Sequence, residues 1–200
     1  IISNSMAGQK IDGIEVSKEV KEILKRAVQK LKSEGLQPCL ATILVGNDPA
    51  SMTYVRNKHK ACESVGIKTK DYNLSNTASQ EELDKIIVDL NNDREVHGIL
   101  VQLPLPRQLN EFTTISRILP IKDVDGLTPQ NVGLLSMGKS ILKACTPSGI
   151  MEMFYYYKIN LEGKNIVMIN RSNLIGKPLY NLLLQNNATV ITCHSKTKNL

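Results

Sequence analysis

The sequence predicts an α/β protein: an N-terminal α/β domain on a parallel sheet, then a second α/β unit that is only begun. Three observations carry this. Helical and strand patterns alternate through residues 16–103 with no hairpin signal between strands, and such alternation makes parallel sheets with helices on their faces. A stretch punctuated by Pro104, Pro106, Pro120, Pro129 and Pro147 then breaks the rhythm. Beyond it a fresh strand–helix–strand pattern starts, so the chain divides into units of 6–147 and 148–200.

Each element has a local cause. Val16, Val20, Ile23, Leu24, Ala27, Val28 and Leu31 recur at three and four, an amphipathic helix closed by Gly35. Leu40–Val45 reads as a buried strand. Asp48 with Pro49 opens a second helix, whose apolar stripe is Met52, Val55, His59 and Cys62, up to Gly66. A half-polar strand follows at Lys68–Leu74. Ser79 and Glu82 form a capping box before Leu83, Ile86, Ile87 and Leu90. His97–Leu103 is the third strand. In the proline-rich middle only short helical patches such as Asn110–Ile118 are expected. A helix from about Pro147 through Met151, Phe154 and Tyr155 leads to a strand at Asn165–Ile169. A helix at Lys177–Gln185 and a strand at Ala188–Cys193 complete the reading. The last strand is apolar yet lacks a neighbour on one side, so Leu200 is not expected to be a natural end. The peptide Ile1–Ser5 before Met6 is set apart from the fold.

Composition narrows the function classes. With 42% hydrophobic and 22% charged residues the chain is globular. No apolar run approaches the roughly 20 residues of a membrane helix, and no secretory signal is visible. Cys39, Cys62, Cys145 and Cys193 are scattered, with no metal-ligand spacing, which suits reduced thiols and a cytoplasmic protein. The net charge of +6 favours an anionic partner. Lysines interleaved with acids, and only 4% aromatic residues, argue for small anions over nucleic acid.

Four constellations carry chemistry. Ser51, Tyr54 and Lys58 share one face of the second helix, beside its apolar stripe, where a solvated lysine beside an ordinary interfacial tyrosine is the plainer reading. Tyr-x-x-x-Lys also marks short-chain dehydrogenases, but there it follows the dinucleotide turn, whereas Tyr54 precedes the candidate turn. Gln102 ends the third strand, where α/β sheets face their ligands; a plain surface role is equally open for it. Lys122–Gly126 sets Asp123 and Asp125 before a glycine, without the further ligands of a calcium loop; an Asx turn is the simpler reading. Ile169–Pro178 joins a strand to a helix N-terminus and suits phosphate binding. At the next strand end the chain has His194-Ser195-Lys196-Thr197, not the acid of an NAD site. With Arg171 across the loop, the pattern leans to NADP.

Taken in order, these motifs resemble the bifunctional methylenetetrahydrofolate dehydrogenase/methenyltetrahydrofolate cyclohydrolase family. The likeness runs from Ile43 to Leu200 through Val45-Gly-Asn-Asp-Pro-Ala-Ser51, Tyr54-Val-Arg-Asn-Lys58, Gly98–Pro106 and Lys122–Gly126. It continues through Cys145-Thr-Pro-Ser-Gly149, Arg171-Ser172 with Gly176-Lys-Pro178, and Ala188–Ser195. The resemblance implies two α/β domains around a cleft, the first holding tetrahydrofolate one-carbon derivatives and the second, of Rossmann type, holding NADP. It also implies a homodimer. Carried over by position, Tyr54 stacks on the pterin, Lys58 is the key catalytic lysine, Gln102 hydrogen-bonds it, and Asp125 holds the amino-pyrimidinone edge. Ser51, Val101 and Leu103 join them at the folate, while Asn170, Arg171, Ser172 and Ser195 line the NADP site.

Two departures stand out. Asn170 replaces a glycine frequent in the family, which asks whether the turn needs left-handed backbone. A later Pro-Gly-Gly-Val-Gly-Pro-like loop of the family does not occur by Leu200. The activity expected is oxidation of 5,10-methylenetetrahydrofolate and hydrolysis of the methenyl product. A monofunctional dehydrogenase of the same fold, or a binding module without turnover, are the alternatives.

Overall fold

The computed structural model describes residues 10–199. The expectations for Ile1–Ser5, Met6 and Leu200 lie outside the described residues. The elements run α1 (Gly13–Ser33), β1 (Cys39–Val45), α2 (Pro49–Val65), β2 (Lys68–Leu74), α3 (Gln80–Asn92), β3 (Gly98–Val101), α4 (Glu111–Ser116) and α5 (Pro129–Ser136). They close with α6 (Cys145–Tyr156), β4 (Asn165–Ile169), α7 (Gly176–Gln185) and β5 (Thr189–Cys193). The expected mixed α/β fold is found, with two parallel sheets, β2-β1-β3 and β4-β5.

Burial explains the first sheet. β1 is central and almost wholly buried, whereas β2 at the edge is largely polar. Cys39, Ala41, Ile43 and Val45 point to one face, by strand alternation, and pack with Leu83, Ile87 and Leu90 of α3 and Ile115 of α4. Leu40, Thr42 and Leu44 point to the other. β1 connects to β2 on one side, and β3 pairs on its opposite side, so strand order reverses between β1 and β3. Open α/β sheets bind ligands at the carboxyl ends of the strands at such a reversal.

Several expectations are corrected. The stripe of α2 holds at Val55, which is buried, and at His59 and Cys62, which are half-buried, but not at its first position, where Ser51 is 3% exposed and Met52 is 50% exposed. Ser51, Val55 and Val65 are its buried positions, because the Asp48 carboxylate accepts from the Ser51 N–H at 2.7 Å and fixes the first turn. Of the α1 stripe only Val16 and Val28 are buried, and Ile23 and Leu24 face outward. Regular pairing of β3 stops at Val101, not Leu103, although Gln102 N–H still donates to Ile43 C=O at 2.9 Å. Helix α5 was not anticipated. Thr128 caps it, accepting from the Asn131 N–H, and Pro129 opens it, the same signal as Asp48-Pro49. α6 begins at Cys145, two residues before Pro147.

A second hydrophobic cluster joins Leu135 of α5 and Met151 of α6 to Leu179, Leu182 and Leu183 of α7 and Met168 of β4. Thr42 is an oddity of the first sheet. It is 1% exposed and its hydroxyl has no partner among the described residues. A buried unpaired hydroxyl costs about 1–3 kcal/mol. Thr42→Val keeps the shape and the strand preference, so we expect stabilisation of roughly 1 kcal/mol, read as a melting rise of about 2–4 °C. An unchanged or lower melting point would show that the hydroxyl is satisfied.

Candidate active site

Lys58 and Gln102, 44 residues apart, meet at the strand-order reversal: Lys58 Nζ donates to Gln102 Oε1 at 3.1 Å. α2 presents Lys58 because β1 delivers the chain there and Asp48 with Pro49 starts the helix at once. Gln102 is fixed twice, by its ladder bond to Ile43 and by its own Nε2 donating to Leu103 C=O at 2.7 Å. Its oxygen is thereby turned to the lysine. One turn before Lys58, Tyr54 is 61% exposed and leaves a ring face free. Val101 is buried beneath the site and Leu103 packs on the first core at its rim.

The loop of Lys122–Gly126 supplies the opposing charge. Asp123 pairs in parallel with Ile99, and Ile99 N–H donates to Lys122 C=O at 2.7 Å, so the loop lies against β3. Gly126 N–H closes a turn on Asp123 C=O at 3.1 Å. Burial pushes the Asp125 carboxyl above its ordinary range, opposed by the Lys58 charge and by a hydrogen bond from Cys145. The Cys145 thiol is pushed up to about 12, first by burial and then by the Asp125 charge. It stays protonated and also donates to Val124 C=O at 3.4 Å. Lys58, Gln102, Asp125 and Cys145 therefore form one cluster, in which Cys145 was not anticipated as a site residue. Its place in Cys145-Thr-Pro-Ser-Gly149 was the available signal.

The Asx-turn reading of Asp123 is corrected. Its side chain does not close a local turn on residue 125; it reaches to Thr128 and Asn131. Gly126, at φ +63°, tolerates no side chain, since a Cβ there would lie 2.9 Å from the Lys143 carbonyl carbon.

Around the β4–α7 turn, Asn170 Oδ1 accepts from Ser172 N–H at 2.8 Å, and Ser172 Oγ accepts from Ile175 N–H at 3.0 Å. Asn170 has no positive φ, so the left-handed geometry allowed for it is not used. Gly176 is the tight point: a Cβ there would sit 2.5 Å from Asn170 C=O and 2.7 Å from Arg171 Cα. Only glycine lets the strand end and the helix start come this close. After β5, Thr197 Oγ1 accepts from His194 N–H at 2.8 Å, folding His194–Thr197 into a turn. Arg171 and Ser195 are exposed, and neither side chain is engaged among the described residues. A glycine-tight turn, a free guanidinium, a free hydroxyl and no strand-end acid fit a dinucleotide carrying a 2′-phosphate.

Comparison with known proteins meets this geometry. The family model for the tetrahydrofolate dehydrogenase/cyclohydrolase catalytic domain matches residues 11–125, and that for its NAD(P)-binding domain matches residues 144–200. The chain belongs to the tetrahydrofolate dehydrogenase/cyclohydrolase family. The bifunctional protein FolD of Nitrosopumilus maritimus is 68% identical over 195 residues, which are 98% of this chain and 68% of that protein. The crystal structure of the Campylobacter jejuni bifunctional enzyme FolD superposes with a TM-score of 0.93 at 48% identity, covering 96% of this chain and 69% of that one. The Trypanosoma brucei dehydrogenase-cyclohydrolase, complexed with NADP cofactor and inhibitor, gives 0.91 at 35% identity, covering 95% and 65%. Among the described residues no helix is long and apolar enough to cross a membrane, and no cluster of three metal-ligating side chains occurs.

Proposed function

We propose that Lys58, oriented by Gln102, handles the protons of a bifunctional enzyme of one-carbon folate metabolism. The chain is a methylenetetrahydrofolate dehydrogenase using NADP and a methenyltetrahydrofolate cyclohydrolase. The observation that carries the residue assignment is the 3.1 Å bond between Lys58 and Gln102, with the Lys58 charge acting on the buried Asp125 carboxyl.

Oxidation of 5,10-methylenetetrahydrofolate takes a hydride from a carbon flanked by two nitrogens and leaves a resonance-stabilised cation. Bound NADP supplies the hydride acceptor. The residues of this chain then have to align the folate, and Tyr54, with its exposed ring, does so by stacking, with Val101 and Leu103 as apolar neighbours of the pterin. Asp125 accepts two N–H bonds in parallel from the guanidine-like edge of the pterin. Its carboxylate is poorly solvated before folate arrives, and that edge compensates the lost water. Ser51, buried in the first turn of α2 with its N–H held by Asp48 at 2.7 Å, fixes the start of the helix that carries Tyr54 and Lys58.

Hydrolysis of the methenyl cation asks for more. The attacking water must lose a proton and a ring nitrogen must gain one before the ring opens. Lys58 Nζ passes that proton between the two. With one Nζ–H bond committed to Gln102, its other positions are left for the water and the nitrogen.

Asn170, Arg171, Ser172 and Ser195 hold NADP in this reading, with residues 6–147 the folate unit and 148–200 the start of the NADP unit. The enzyme works as a homodimer in the cytoplasm, which light scattering and fractionation would check. Adding 5,10-methylenetetrahydrofolate and NADP should produce methenyl absorbance that then decays to 10-formyltetrahydrofolate. No rise in absorbance would overturn the reading. Ser195→Asp sets a carboxylate where a 2′-phosphate would lie, so the preference for NADP over NAD should fall at least about tenfold. An unchanged ratio would remove Ser195 from the cofactor site.

A further inference from the structure

We infer that Asp123 is a positioning residue for folate binding, acting through Asp125 without touching substrate. Asp123 is 1% exposed and lies on the sheet side of the loop, paired with Ile99 of β3. Its Oδ2 accepts from Thr128 N–H at 2.8 Å and from Asn131 Nδ2 at 2.8 Å. The other Asn131 amide hydrogen goes to Pro120 C=O at 2.9 Å. A single buried oxygen thus ties the start of α5 to the turn that carries Asp125, and Asn131 ties both to residue 120, ahead of that turn.

Asp125 is the third residue of the turn closed by Gly126 N–H on Asp123 C=O. One end of this turn is held by the Asp123 carboxylate, the other by the close approach of Gly126 to Lys143 and Ala144. On the backbone, Asp123 pairs with Ile99, whose N–H donates to Lys122 C=O, and Asp123 N–H donates to Leu119 C=O at 3.1 Å, but neither bond reaches Asp125. Loss of the Asp123 bonds would leave Thr128 N–H and one Asn131 hydrogen buried without partners, and that loop would shift to resatisfy them. Asp125 would shift with it. The acceptor, not its charge, is what the geometry demands.

This inference rests on the reading of Asp125 as the folate-edge residue, so Asp125→Asn is made alongside in the full-length chain. Asp123→Ala should raise the folate KM about tenfold or more. Its NADP affinity, measured by titration, should change less than about twofold, with cooperative melting retained. Asp123→Asn, whose amide oxygen accepts both bonds, should keep the folate KM within about threefold of wild type. Asn131→Ala removes one donor and should raise the KM in the same sense, which keeps the test alive if Asp123→Ala does not fold. An unchanged folate KM in Asp123→Ala or Asn131→Ala overturns the inference, as does equal damage by Asp123→Asn, or an equal loss of NADP affinity. If Asp125→Asn itself leaves the folate KM unchanged, the reading of Asp125 fails and the inference falls with it; if only Asp125→Asn raises it, the inference alone fails.

Discussion

Changing Lys58 to Met should lower cyclohydrolase activity by about 10²–10⁴-fold, the usual worth of general acid–base help, while dehydrogenase activity survives at a substantial fraction. Methionine keeps the length and apolar contact of the stem and deletes the ammonium that Gln102 accepts from at 3.1 Å. Hydride loss from methylenetetrahydrofolate leaves a stabilised cation and asks no proton of the protein. Ring hydrolysis asks for several proton moves. The two activities should therefore separate at this one side chain, in paired assays on the full-length chain. Equal loss of both with unchanged folate affinity would mean that Lys58 also aligns the substrate for hydride transfer. Loss of neither would place the proton shuttle elsewhere.

Gly176→Ala is the mirror experiment at the other end of the molecule. The new Cβ would meet Asn170 O, Asn170 C and Arg171 Cα at 2.5, 2.6 and 2.7 Å, all backbone atoms with no rotamer to turn away. Either the β4–α7 turn opens or α7 slides along its contacts with α5 and α6. Overpacking of this kind costs about 1–3 kcal/mol, and a shift of about 1 Å at a reactive geometry costs on the order of 10²-fold. We expect kcat/KM for NADP to fall by about that factor. Cyclohydrolase activity, which needs no hydride acceptor, should stay within about threefold. Unchanged NADP kinetics would show that this turn is not the cradle, and parallel loss of both activities with non-cooperative melting would point to general unfolding.

Much of the fold was legible because its signals are local. Asp48 with Pro49, Ser79 before Glu82, and the runs Leu40–Val45 and Asn165–Ile169 each announce an element within a few residues. The same kind of signal stood at Thr128 with Pro129, and α5 was legible there too. The face of α2 was read correctly at Val55 but not at its first position, because Met52 is the more apolar side chain there. Burial followed the phase set by Asp48 and gave the inside to Ser51. α1 shows a similar limit: a periodic apolar stripe says which face prefers cover, not how much cover its neighbours provide.

The sequence by itself determined the alternation of strands and helices, and hence the parallel sheets. It also held, as ordered motifs, the residue types that folate and NADP chemistry require. Periodicity and capping are properties of a few adjacent residues, and a family's motifs persist as short strings. Only the tertiary structure decided which of those residues meet. It closed 44 residues between Lys58 and Gln102, turned Cys145 onto Asp125, and placed Asp123 behind the loop as an acceptor for α5 instead of in the cleft. It also showed why the motif glycine Gly176 is there, as the closest backbone approach of the cofactor turn. These are long-range contacts fixed by strand order and burial, and neither quantity is written in any window of neighbouring residues.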